Sequence, residues 1–143
     1  MSKTNWQGIH SVLVTPFLPE GPIDFPRFEA LAEANIANGA DGLIVCGSTG
    51  EFYAMSVAER VKLFEATVKV AAGRVPVLAG VSDLHTDVVL ELTKAAETTG
   101  CDGILALPPI YAKPDLREAE HFYRRICAAS GLPVMLYNSP VRI

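Results

Sequence analysis

Short apolar runs alternate along the chain with segments in which apolar side chains recur every three or four positions, the patterns of buried strands and amphipathic helices. Ile9 to Thr15 (IHSVLVT) predicts a first strand. After a Pro/Gly-rich loop, Asp24 predicts a helix N-cap, with Pro26 in the first turn and Phe28, Leu31, Ala32 and Ile36 on one face until Gly39 stops it. Gly42 to Cys46 is the second strand. Ser56 and Glu59 then have the spacing of a capping box, opening a helix with Val57, Val61, Phe64 and Val68 inward that ends at Gly73. Val75 to Val81 follows as a third strand, and Thr86 predicts the cap of a helix through Val89, Leu92 and Ala96 that closes at Gly100. Gly103 to Leu107 is the fourth strand. Asp115 and Glu118 repeat the capping-box spacing before a stripe of Leu116, Ala119, Tyr123 and Ile126, Gly131 ends that helix, and Val134 to Tyr137 is the fifth strand.

The strands are continuously apolar rather than alternating, which predicts a parallel sheet covered on both faces by crossover helices. The sequence also repeats itself. Gly39-Ala40-Asp41-Gly42-Leu43-Ile44 matches Gly100-Cys101-Asp102-Gly103-Ile104-Leu105, and Val75-Pro76-Val77-Leu78 loosely matches Leu132-Pro133-Val134-Met135-Leu136. Two α/β architectures fit: a five-stranded doubly wound sheet, or the start of a (β/α)8 TIM barrel, which needs ~250 residues. The sequence stops a few residues after the fifth strand, where a doubly wound domain would add a covering helix. The expectation is therefore a truncated barrel: residues 1–143 as the N-terminal part of a single domain, with roughly four βα units and strand five.

Composition narrows the function classes. Half of the 143 residues are hydrophobic and a fifth charged, the balance of a globular protein with a sizeable core. A net charge of -4 with scattered Lys and Arg gives no footprint for nucleic acid. No stretch nears the ~20 apolar residues that span a bilayer, and the N-terminus has no signal-like apolar run, so no membrane partner and a cytoplasmic location are expected. Cys46, Cys101 and Cys127 are odd in number and widely spaced, and His10, His85 and His121 are equally dispersed, so neither disulfide nor metal site is expected.

In a barrel, chemistry sits directly after each strand. After the second strand comes Gly47-Ser48-Thr49-Gly50-Glu51, a tight turn with two hydroxyls whose glycines let backbone amides approach an anion such as a carboxylate. An ordinary βα turn has the same composition. After the fourth strand, Pro108-Pro109-Ile110-Tyr111-Ala112-Lys113-Pro114 fixes the backbone on both sides of a tyrosine. The fifth ends in Tyr137-Asn138-Ser139-Pro140-Val141-Arg142. Either tyrosine alone reads more readily as a core or rim residue with a satisfied hydroxyl.

Together, Val14-Thr15-Pro16-Phe17, G-S-T-G-E, P-P-x-Y-x-K-P and Y-N-x-P-x-R, each at a strand end, resemble the dihydrodipicolinate synthase and N-acetylneuraminate lyase family of pyruvate-dependent class I aldolases. The resemblance implies a lysine on the sixth strand that forms a Schiff base with pyruvate, whose enamine adds to an aldehyde or is released by cleavage, with no diffusible cofactor. Lys3, Lys62, Lys69, Lys94 and Lys113 lie near the terminus, on helices or in a loop, so this stretch alone is expected to be inactive. It further implies that Ser48 joins Tyr111 and Tyr137 in a proton relay, with Tyr137 the acid/base. Thr49 and the amides of the turn from Gly47 to Gly50 bind the pyruvate carboxylate, Arg142 holds a second carboxylate, and Tyr111 reaches into a neighbouring subunit of a homodimer or homotetramer. A phenol near pKa ~10 moves protons at neutral pH only where a hydroxyl chain and nearby positive charge ease its ionisation.

Departures from the family pattern bear on the second substrate. Synthases commonly have a Tyr-Tyr pair where Ile110 precedes Tyr111, an asparagine where Leu84 stands and a threonine at Ile143. These changes weaken the case for aspartate semialdehyde, the partner in a 4-hydroxy-tetrahydrodipicolinate synthase-like reaction. A sugar-acid aldolase or dehydratase, or an N-acetylneuraminate lyase-like enzyme, is the nearest rival. From another class comes a non-catalytic binding or oligomerisation module that keeps the turn without the nucleophile, and the nucleotide sequence after codon 143 discriminates the two.

Overall fold

The computed structural model describes residues 6–109, 111 and 113–139. Within them the strands β1 (His10–Val12), β2 (Gly42–Val45), β3 (Val77–Gly80), β4 (Gly103–Ala106) and β5 (Val134–Leu136) alternate with the helices α1 (Phe25–Ala37), α2 (Val57–Ala71), α3 (Thr86–Thr99) and α4 (Leu116–Ala129). All pairings are parallel, and the strand order is β1-β2-β3-β4-β5. That order decides between the two architectures. A doubly wound sheet reverses direction at a switch point, whereas an unreversed run of βα units is the start of a barrel.

Helix starts follow local chemistry. The Asp24 carboxylate accepts from the Arg27 amide at 3.0 Å, and Ser56/Glu59 and Asp115/Glu118 both close reciprocal capping boxes; each such cap contributes about 0.5–2 kcal/mol. The predicted Thr86 cap is corrected: Thr86 is the first helical residue, and the N-cap His85 makes no side-chain bond. The Asp83 carboxylate organises that entry instead, accepting from the His85 amide at 3.1 Å. At the end of α2 the left-handed residue is Ala72 (φ 47), with Gly73 following at φ 72.

The strands are shorter than the apolar runs, because the runs continue into the buried first residues of the loops, as at Cys46, Val81 and Leu107. The helices do not cover both faces. They pack consecutively, α1 on α2, α2 on α3 and α3 on α4, and bury Phe28, Leu63, Phe64, Leu92 and Ile126 with Leu43, Val45, Val77, Ala79, Ile104 and Ala106 of the sheet. Alternation puts Val12, Ile44, Leu78, Leu105 and Met135 on the opposite face, the inside of the barrel. Ile44 and Leu78 are buried there, but Val12 at the edge is exposed.

Two predicted stripes shift. On α2 the buried residues are Arg60, Leu63, Phe64, Ala66, Thr67 and Ala71, while Val57, Val61 and Val68 are only partly covered. On α4, Phe122 and Ile126 are buried and Leu116 is exposed. Leu116, Ala119, Tyr123, Cys127, Val134 and Leu136 line an open apolar groove of about 840 Å³ beside β5. Among the described residues no helix is long and apolar enough to cross a membrane.

Candidate active site

The G-S-T-G-E turn leaves the C-terminal end of β2 between two left-handed non-glycine residues, Cys46 (φ 55) and Glu51 (φ 58). Such conformations cost on the order of 1–3 kcal/mol and persist where surrounding structure enforces them, often at functional sites. The Gly50 amide donates to the Gly47 carbonyl at 3.0 Å and the Glu51 amide to the Ser48 carbonyl at 3.2 Å. The amides of Ser48 and Thr49 have no partner among the described residues. Two adjacent free donors at a strand end can receive an anion. Ser48 is half-buried and Thr49 exposed, so both hydroxyls are reachable. The Gly50 amide is already used within the turn, so Gly50 serves by lacking a side chain: a Cβ there would lie 2.8 Å from the Leu13 carbonyl oxygen. At Gly47 it would lie 2.8 Å from Val12 Cγ1.

Buried polar side chains tie this turn and its neighbours together. Thr15, from the V-T-P-F segment after β1, donates its hydroxyl to the Gly50 carbonyl at 2.7 Å. Arg60 of α2 is 1 % exposed and donates to the carbonyls of Gly80 (2.8 Å), the last residue of β3, and of Ser82 (3.0 Å) beyond it, with Asp83 Oδ2 at 3.3 Å. The Ser82 hydroxyl accepts from the Leu107 amide at 3.0 Å, linking the ends of β3 and β4. The Tyr123 hydroxyl donates to the Ala106 carbonyl at 3.2 Å and weakly to the Tyr137 carbonyl at 3.5 Å, and burial pushes its pKa up to about 12, so it stays a donor. The ends of β1 and β2, of β3 and β4, and of β4 and β5 are therefore held together.

Sequence reasoning missed the roles of Arg60, Ser82 and Tyr123 in these ties, and quoted Thr15 without a role. For Arg60 a signal was present: it lies one helical turn before Phe64, on the buried face, where a solvated arginine does not belong.

Tyr137 keeps its backbone in the ladder, its amide donating to the Ala106 carbonyl at 2.8 Å. Strand alternation gives it the face of Met135, inside the barrel. It is 37 % exposed, and Tyr111, in the loop after β4, is 90 % exposed. The structure thus brings Ser48, Thr49, Tyr111 and Tyr137 to one rim. It does not bring them into contact, since no hydrogen bond joins them among the described residues and β2 and β5 are separated by about 14 Å along the sheet at the usual strand spacing. Arg142, Ile110 and Ile143 lie outside the described residues. Of the lysines described, Lys62 and Lys69 are on α2, Lys94 is on α3 and Lys113 is exposed in the loop, and none is on a strand. Among the described residues no group of three or more His, Cys, Asp or Glu could hold a metal ion.

A run of βα units in unreversed order, with a Gly-rich turn and two tyrosines at its C-terminal rim, defines the first half of a barrel, whose loops after the strands are where such folds place their sites. The chain belongs to the dihydrodipicolinate synthetase family, whose model matches residues 5–143. It is 40 % identical over 138 residues to the 4-hydroxy-tetrahydrodipicolinate synthase of Bacillus subtilis, covering 96 % of this chain and 48 % of the relative. It also superposes on a prophage protein of the dihydrodipicolinic acid synthase family from E. coli, solved in complex with pyruvate (TM-score 0.90, 33 % identity, 96 % of this chain and 46 % of that one). A third likeness is to CdNal from Clostridium difficile, solved with mannosamine (TM-score 0.92, 31 % identity, 96 % and 48 %). The chain spans slightly less than half the length of these relatives, and its sheet matches the N-terminal part of their barrel.

Proposed function

We propose that residues 1–143 supply the N-terminal part of a single-domain barrel lyase that joins or cleaves pyruvate and an aldehyde through a Schiff base, on a lysine that is none of Lys3, Lys62, Lys69, Lys94 and Lys113. The observation that carries this reading is the pair of unpartnered amides at Ser48 and Thr49 on a turn held in a strained conformation at the barrel rim. There the two amides and the Thr49 hydroxyl receive the pyruvate carboxylate. Tyr137, on the inner face, carries the proton on and off the substrate oxygen as the carbinolamine forms and collapses, with Ser48 and Tyr111 passing it onward. Tyr111, almost wholly exposed, works from a second subunit, which makes the active form a homodimer or homotetramer. The pyruvate bound to the E. coli neighbour supports the substrate class.

Arg142 holds the carboxylate of the aldehyde partner if that partner is aspartate semialdehyde, a task suited to a guanidinium fork. A sugar-acid substrate is the second reading, favoured by the exposed aliphatic Leu84 in the loop after β3 and by the mannosamine-bound neighbour. The test is borohydride trapping of the gene product containing residues 1–143 in the presence of pyruvate, followed by peptide mass mapping. A pyruvate-dependent adduct on a lysine beyond position 143 is expected. No adduct anywhere would overturn the aldolase reading, and comparison of aspartate semialdehyde with sugar-acid substrates separates the two branches.

A further inference from the structure

We infer that Arg60 is a positioning residue for substrate carboxylate binding, fixing the Gly47–Glu51 turn to the end of β3. The inference rests on the aldolase reading above and adds to it a residue that touches no substrate. Four groups converge on this one guanidinium: the Phe52 ring, the Gly80 and Ser82 carbonyls and the Asp83 carboxylate. Its Cζ lies 5.2 Å from the ring centroid of Phe52, the residue directly after the turn, in a cation–π arrangement. The Gly80 that the guanidinium holds packs directly against Cys46, the residue before the turn, where a Cβ on Gly80 would clash with the Cys46 carbonyl oxygen. The Nη2 of Arg60 donates to both the Gly80 and Ser82 carbonyls and its Nη1 pairs with Asp83, while the buried Nε has no partner among the described residues.

The turn between these two anchors is under conformational load. Cys46 and Glu51 are both left-handed, and neither is glycine, so an unsupported loop would relax toward other backbone angles. Relaxation would rotate the Ser48 and Thr49 amides away from a shared target. A lysine at position 60 keeps a charge but loses the planar fork that serves two carbonyls and a ring at once. A buried cation near the two free amides also favours an anion there, and Asp83, itself about a quarter exposed, offsets that charge only in part.

The role predicts a division of kinetic effects. If Arg60 shapes the carboxylate site, its replacement weakens pyruvate binding in the molecules that fold, and KM rises while kcat is retained. If it only stabilises the barrel, fewer molecules are active, and apparent kcat falls at unchanged KM. The experiment uses the gene product containing residues 1–143, with Arg60→Lys and Phe52→Leu, the latter removing the ring contact while keeping apolar volume in case Arg60→Lys fails to fold. Circular dichroism measures the folded fraction, borohydride trapping measures the pyruvate adduct, and steady-state assays give KM and kcat. The expected result is a pyruvate KM raised about tenfold or more in Arg60→Lys, and in the same direction but less in Phe52→Leu, with kcat within about threefold. Normal pyruvate KM in folded variants, or a fall in kcat alone, overturns the positioning role while the wild-type adduct still stands. Absence of an adduct in the wild type overturns the aldolase reading and this inference with it.

Discussion

Removing the Thr15 hydroxyl should loosen the turn after β2 without disturbing the core. Thr15 is 6 % exposed and its hydroxyl donates to the Gly50 carbonyl at 2.7 Å. Valine at this position has nearly the same shape, so Thr15→Val creates no cavity but leaves a buried carbonyl without its donor. Such an orphan costs about 1–3 kcal/mol, equivalent to a factor of about 5 to 150 in a local opening equilibrium. The Gly50 and Glu51 amides, which bond within the turn, report on that opening. Native-state hydrogen exchange of the gene product containing residues 1–143 should show both amides exchanging faster by that factor in Thr15→Val, and Thr15→Ser should exchange nearly as the wild type does. Amides in the middle of α3, remote from the turn, should not change. Unaltered exchange at Gly50 and Glu51 in Thr15→Val would refute the reasoning that this hydroxyl holds the turn.

Other expectations concern chemistry, regulation and pH. In the same gene product, Tyr137→Phe should lower turnover by about 10²–10⁴-fold while pyruvate still binds, because a proton carrier is lost and the carboxylate turn remains; near-normal turnover would remove Tyr137 from its role. The resemblance to the synthases implies a lysine-inhibition site at positions that are all apolar here, Val57, Leu84, Val88 and Ile110. An α-amino acid costs several kcal/mol to desolvate without partners, and the neighbouring Asp83 is engaged by Arg60, so calorimetry should find no saturable lysine binding, and inhibition at millimolar lysine would sink this expectation. Burial pushes the Cys46 thiol from 9.0 to about 12 and the Cys101 thiol from 9.0 to about 11. These raised values contribute stability below the unfolded thiol pKa that is lost as pH rises above it, at about 1.4 kcal/mol per pH unit for each thiol. Urea unfolding should show that decline above about pH 9, and a flat profile would contradict it.

The helix caps Asp24, Ser56 and Asp115 were legible residue by residue, since capping depends on neighbours within one turn. What was not legible arose from residues distant in sequence. Thr86 has the composition of a cap, yet Asp83 had already provided the local turn. The α4 stripe was assigned as if the helix were covered, and Leu116 instead faces the open groove beside β5. At the rim, the described motif residues fall after the strand ends where the sequence placed them. The Ser48 and Thr49 amides could be identified as free only after the bonds of Gly50 and Glu51 were known, and Arg60 was overlooked because a capping-box helix with a charged fourth residue looks like an ordinary solvated face.

The unreversed strand order also bears on how the molecule is made. Each of β2 to β5 pairs with the strand synthesised just before it, at a separation of about thirty residues, so none of these four ladders waits for a distant part of the chain to emerge from the ribosome. Growth can proceed vectorially, each new βα unit docking on the previous one during translation at ~5–20 residues per second. The advancing edge strand, with its uncovered groove, is then the surface that a nascent chain must keep from other polypeptides until the next unit arrives.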